Sequence, residues 1–195
     1  MGEHQWLQTA LAAYQPTEEP LMAYERVYRR LFLDLIEKNP RCLWRDDFSP
    51  GHITGSLLVA NLDLSKVLLM HHPKLDLWLQ FGGHCDGDGN VYRVALRELE
   101  EESGITPDMT VGNGGIFDLD IQCIPPRKDE PEHLHFDMRF LARFNEKTPI
   151  PGSSENLTMR WFTLDEAEGL VTPGHGRWRM VQKLRQMRDV THGRA

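Results

Sequence analysis

The chain has 195 residues, enough to bury a core for one domain with an appendage. Hydrophobic residues make up 40% and charged residues 26%, the balance of an ordinary globular protein rather than a disordered or membrane-spanning one. A net charge of −7 argues against broad binding to nucleic acid or anionic membrane, and it leaves an anionic substrate dependent on a divalent cation or a local basic cluster. The first residues lack a basic stretch followed by an apolar run, so no secretory signal is expected. Cys42, Cys85 and Cys123 are sparse and lack metal-ligand spacing, and they read as thiols of a cytoplasmic protein.

Along the chain, Trp6, Leu7, Ala10, Leu11 and Tyr14 recur at helical spacing and predict a helix over 3–14, ended by Pro16. Thr17 is placed to cap a second helix that runs to about Lys38 and stops at Asn39-Pro40. Its expected apolar stripe is Leu21, Tyr24, Tyr28, Leu31 and Leu35, with Arg26, Arg29 and Arg30 solvated. These helices form an expected extension over 1–48, ahead of a domain over 49–195; it would cover a sheet, pair two copies as a homodimer, or close over substrate. From Ile53 the texture turns to short β-rich runs. Residues 53–63 and 66–72 flank a turn at Leu64-Ser65 and predict a hairpin. WLQFGG, IFDLDIQCI, HLHFDMRFLARF and LTMRWFT follow as further strands, and a helix is expected over about 177–190 with Trp178, Val181, Leu184 and Met187 on one side.

Between the strands, residues 83–105 read GHCDGDGNVYRVALRELEEESGI. Glu98, Glu101 and Glu102 stand at i, i+3 and i+4, within an arc of roughly 100° on one helix. Like charges at that spacing repel by a few tenths of a kcal/mol per pair, roughly. A hard divalent cation such as Mg²⁺ or Mn²⁺ relieves that repulsion. A solvated acidic face with an Arg97–Glu101 pair is the plain alternative.

Gly83, Arg97, Glu98, Leu99, Glu101, Glu102, Gly104 and Ile105 fall in the register of the Nudix box, and the segment closely resembles it. One position departs: Gly89 stands where the box has a glutamate that supports the loop and helix, and Asp86 and Asp88 are the nearby acids. The resemblance implies an α/β fold, an α/β/α sandwich around a mixed sheet, and hydrolysis of a diphosphate bond in a nucleoside diphosphate derivative. It implies that Glu98, Glu101, Glu102 and the carbonyl of Gly82 hold Mg²⁺ or Mn²⁺ and that Arg97 orients the glutamates. Glu98, or Glu155 on a loop beyond the box, would act as base. Gly89 keeps open a nucleotide-binding module with weak or no catalysis. Asp120 stands where ADP-ribose hydrolases carry proline, and Ile121, Gln122 and Cys123 where dinucleoside-polyphosphate hydrolases carry tyrosine, so no subgroup is marked.

In HLHFDMRF, strand alternation puts His133, His135, Asp137 and Arg139 on one face. That face is either the wet side of a half-buried strand or a surface binding phosphate or metal, which His84 could join. His71, His72 and Lys74 form a cationic neighbourhood for an anionic substrate. Trp78 and Phe81 are expected in the core, and one of Trp161 and Phe162 must point inward.

Overall fold

A computed structural model describes residues 4–16, 23–152, 157–172 and 174–193. Their order is α1 (Gln5–Ala13), α2 (Ala23–Lys38), β1 (Gly51–Ala60), β2 (Lys66–His72), β3 (Leu77–Leu79), β4 (Phe81–His84), α3 (Val91–Ser103), β5 (Ile116–Ile124), β6 (His133–Arg143), β7 (Thr158–Thr163), α4 (Leu164–Gly169) and α5 (Gly176–Thr191). The seven strands form a sheet in the order β3-β2-β1-β6-β5, with β4 on β1 and β7 on β2. The pairs β1–β2, β2–β3, β2–β7 and β5–β6 are antiparallel. β1 and β6 advance together: the Leu134 N–H donates to the Pro50 carbonyl and the Phe144 N–H to the Ala60 carbonyl. The sheet is therefore mixed, as the sequence implied. The chain forms two compact units, and β1, β4, α3 and β6 each contribute to both.

The first unit comprises Met1–Ser56, Gly82–Ala95 and Gly114–Phe140. Its β6 alternates strictly. Phe136, Met138 and Phe140 face helices, with Phe32 of α2 edge-on to Phe136 at 5.4 Å and Trp6 and Tyr92 tilted on Phe140 at 6.2 and 5.1 Å. Of the roles open to α1 and α2, covering the sheet is therefore one they perform. Arg29 Nε donates to the Leu11 carbonyl and fastens the two helices together. The buried face of α2 is Glu25, Phe32, Leu35 and Ile36, whereas Tyr24 and Leu31 are exposed. The expected stripe is thus rotated. Tyr14 donates its hydroxyl proton to the Glu25 carboxylate, and this partner lets an acid stand in the helix's buried face. The cap expected at Thr17 and the stripe residue Leu21 lie outside the described residues.

The second unit comprises Leu57–Phe81, Leu96–Asn113 and Leu141–Ala195. The hairpin turn closes as expected: Asn61 Oδ1 accepts from the Ser65 and Lys66 N–H groups. β7 runs the length of β2, from Lys66 opposite Thr163 to His71 opposite Thr158. Thr163 then caps α4 through a reciprocal box with Glu166, which satisfies two orphan donors of the first turn. Phe162 is the inward aromatic of β7, with Trp78 edge-on at 4.8 Å. Phe81 is fully buried. In α5, Val181 and Leu184 point into the core while Met187 is exposed.

Candidate functional site

The acidic face lies in the second unit, on the C-terminal part of α3. Leu99 and Ile105 are fully buried and set the helix's inner side. Gly104 has φ +74°, and a Cβ there would sit 2.4 Å from the Gly152 carbonyl oxygen, so the helix ends on a residue that only glycine fits. Its N–H donates to the Glu100 carbonyl and closes the last turn. With the inner side fixed, Glu98 and Glu101 project together around Arg97. Arg97 Nη2 lies 2.8 Å from Glu98 Oε1, and Arg97 Nε lies 3.7 Å from Glu101 Oε1. The Glu98 side chain is 17% exposed and that of Glu101 58%. Glu102 is half-buried on the same helix.

At the other end of α3, in the first unit, Asn90 caps the helix by accepting from the Arg93 N–H at 3.1 Å. Asp88 accepts from the Asn90 N–H and from Arg93 Nε and Nη2 at 2.7–2.9 Å. Asp88 therefore ties the loop to the first turn beside Gly89. Gly82 lies on β4, where a Cβ would stand 2.5 Å from Ser56 Cβ; the glycine allows this strand to close on β1.

The second constellation lies entirely within the first unit. His52, Thr54 and Ser56 of β1 share a face with His133, His135, Asp137 and Arg139 of β6. This face is not wet: His52 is 1% exposed, His133 5%, Asp137 5% and Arg139 0%. Arg139 can be buried because three carboxylates take its donors, Asp137 at 2.7 Å, Asp118 at 3.1 Å and Asp120 at 2.7 Å. The β5–β6 register, with Asp118 opposite Arg139 and Asp120 opposite Asp137, brings these acids to it. Burial alone would lower the Arg139 pKa, but Asp120, Asp137 and Asp118 more than offset it and hold the guanidinium charged. Asp137 also accepts from Thr54 at 3.2 Å and Ser56 at 3.0 Å; burial nonetheless pushes its carboxyl above the usual range, against the pull of Arg139.

Four imidazoles meet at the end of this face. The rings of His52, His133 and His135 lie 4.7–5.1 Å apart, and that of His84 is 5.1 Å from His52 and 5.2 Å from His135. Phe48 tilts against His133 at 4.9 Å. Burial, then neighbouring positive charge, lowers the His84 pKa to about 4 and the His135 pKa to about 3, and burial lowers that of His52. His84 and His135 are thus neutral at pH 7. His52 Nδ1 lies 3.0 Å from the Asp47 carbonyl, which can only accept, so Nδ1 carries the proton. Its Nε2 is buried without a hydrogen-bond partner, a state that costs about 1–3 kcal/mol when nothing occupies the site.

Sequence reasoning found His84, His133 and His135 and missed His52, which stands one residue before the expected start of β1. The remaining predicted residues lie in the second unit: Lys74 is exposed in the turn after β2, beside half-buried His71 and His72. Glu155 lies outside the described residues. An apolar pocket in that unit, lined by Leu69, Trp78, Val171 and Met180 among others, has Arg177 as its charged group. That guanidinium donates to the Trp78 carbonyl.

A family model described as NUDIX domain matches residues 53–183. Among curated proteins, none matches the sequence. Two solved structures of the Ap4A hydrolase of C. elegans are similar, one at TM-score 0.52 and 17% identity over 69% of this chain and 96% of that one. The other, a binary complex, has TM-score 0.53 and 19% identity over 72% and 98%. The dihydroneopterin triphosphate pyrophosphohydrolase of E. coli is similar at TM-score 0.55 and 15% identity over 69% and 95%. At these identities the likeness establishes the fold alone.

Proposed function

The chain belongs to the Nudix family of pyrophosphohydrolases, and on that premise we propose a divalent-metal-dependent hydrolase that cleaves the diphosphate bond of a nucleoside diphosphate derivative. The observation that carries this reading is the α3 face, where Arg97 grips Glu98 and Glu101 while Glu101 stays mostly solvent-exposed. Glu98, Glu101 and Glu102 supply hard oxygen donors at a spacing whose mutual repulsion a cation relieves, so Mg²⁺ or Mn²⁺ suits them. Such an ion, when bound, neutralises diphosphate charge and lowers the pKa of a water. Arg97 fixes the direction of the two carboxylates. Glu98, which Arg97 holds, is the proposed base, and Glu155 is the alternative. Lys74 is proposed to contact the anionic part of the substrate. Residues 1–48 are proposed as an extension to the hydrolase domain, and pairing of two copies through them would register as a dimer in size-exclusion chromatography.

The second reading, a nucleotide-binding module, rests on Gly89. Against it, the bonds of Asp88 to Asn90 and Arg93 support the loop and helix where the family's glutamate would. The test is product analysis on nucleoside triphosphates, nucleotide sugars, ADP-ribose, NADH, coenzyme A, Ap4A and dihydroneopterin triphosphate, each with Mg²⁺, Mn²⁺ or chelator. Metal-dependent cleavage that falls by roughly 10²–10⁴-fold in Glu98→Gln is expected, with a comparable loss in Glu102→Gln. Full activity in folded Glu102→Gln would overturn the site. A folded wild-type protein that binds nucleotide and cleaves nothing would favour the second reading.

A further inference from the structure

We propose that His52, His133 and His135 form a second metal site, distinct from the carboxylate face of α3, that takes a late first-row divalent cation, Zn²⁺ foremost. The potential ligand atoms of the three imidazoles all lie within 4.8 Å of one another. Tetrahedral Zn²⁺ with Zn–N of about 2.0–2.1 Å sets neighbouring ligand nitrogens roughly 3.3–3.4 Å apart. His133 Nε2 and His135 Nε2 already stand 3.2 Å apart, so the strand backbone holds two of the ligands at that separation.

The orientation of the rings follows the same logic. His52 Nδ1 donates to the Asp47 carbonyl and His133 Nδ1 to the Pro131 carbonyl at 2.8 Å. Each bond fixes the tautomer with the lone pair on Nε2, the arrangement in which metal-binding histidines are held by a carbonyl partner. For His52 that lone pair is buried and has no partner. Without a cation, His135 Nε2–H donates to His133 Nε2; as a ligand, His135 keeps its proton on Nδ1 instead.

His84 does not complete the set as a fourth ligand. Its Nδ1 lies 2.6 Å from Arg45 Nη2, and a guanidinium can only donate. The neutral ring of His84 therefore carries its proton on Nε2, and with Nδ1 taken by Arg45 it has no lone pair left for a cation. Three protein ligands leave one position for water or an anionic oxygen. An all-imidazole set selects Zn²⁺, Co²⁺, Ni²⁺ or Cu²⁺ over Mg²⁺ and Ca²⁺. The adjoining network sets three carboxylates against one guanidinium, which favours a cation beside it over an anion. The glutamates of α3 take no part, so this site stands or falls apart from the hydrolase reading.

The experiment uses the full-length chain carrying Glu98→Gln and Glu102→Gln, stripped with chelator and titrated with Zn²⁺ alone in the presence of excess Mg²⁺. One Zn²⁺ per chain is expected, with a rise in melting temperature as Zn²⁺ is added. Adding His52→Asn or His135→Asn should weaken that binding by more than about 100-fold and remove the thermal shift, whereas His71→Asn and His72→Asn together should change neither. Should His52→Asn not fold, His135→Asn and the visible spectrum of the Co²⁺-loaded parent decide: four-coordinate imidazole-bound Co²⁺ supports the site. No Zn²⁺ bound by the folded parent, or Zn²⁺ retained unchanged in the folded His135→Asn chain, overturns the proposal.

Discussion

The two polar constellations of this protein are built in opposite ways. The acidic face of α3 is local: one helix, three carboxylates within a single turn, Glu101 open to water. The polar layer of the first unit is assembled from three strands, and its charges are buried and mutually satisfied. An exposed carboxylate stays hydrated by itself, whereas Arg139 at 0% exposure exists only because Asp118, Asp120 and Asp137 take its donors. One constellation can be altered without touching the fold; the other is part of what holds the strands in register.

That contrast breaks most sharply at Arg139. Arg139→Met leaves three buried carboxylates without their shared partner and should cost about 3–5 kcal/mol, read from urea unfolding. A loss under 1 kcal/mol would mean that the layer is not integral to the fold. The pH dependence sharpens the same point. His84 and His135 have folded pKa values near 4 and near 3, below the ordinary 6.5. The unfolded chain therefore binds more protons between those values. Their contribution is intact above about pH 6.5 and is lost as the pH falls through 6.5 toward 4. Between pH 7 and 4.5 roughly 2–5 kcal/mol of stability should disappear, and His135→Asn should flatten that slope; an unchanged slope would show that the imidazoles are not the cause. The smallest effect belongs to the exposed face. Arg97→Ala should shift stability by about 1 kcal/mol or less while lowering hydrolysis, because the glutamates lose their orienting partner.

Legibility followed the range of the interactions. β5 appears over Ile116–Ile124 and β6 from His133, as their alternation indicated, and Pro40 ended α2 where expected. The stripe of α2 was misplaced because Glu25 looks solvated in sequence; only its approach to Tyr14, eleven residues earlier, makes it a buried residue. HLHFDMRF read equally as a wet strand face, since alternation reports which residues share a side and not what lies over that side. His52 carried no signal, because every residue of β1 is buried on both faces and periodicity there is silent.

By itself the sequence determined the order of the longer helices and strands, though not α4 or the break between β3 and β4, together with the family's box and the three carboxylates with Arg97, because helix and strand periods and i, i+4 neighbours are set by local backbone geometry. Only the tertiary structure decided that Asp118 and Asp120 neutralise Arg139 and that His52 joins His133 and His135. Those meetings depend on strand register and on a parallel β1–β6 pairing across about eighty residues of chain, which no local pattern encodes.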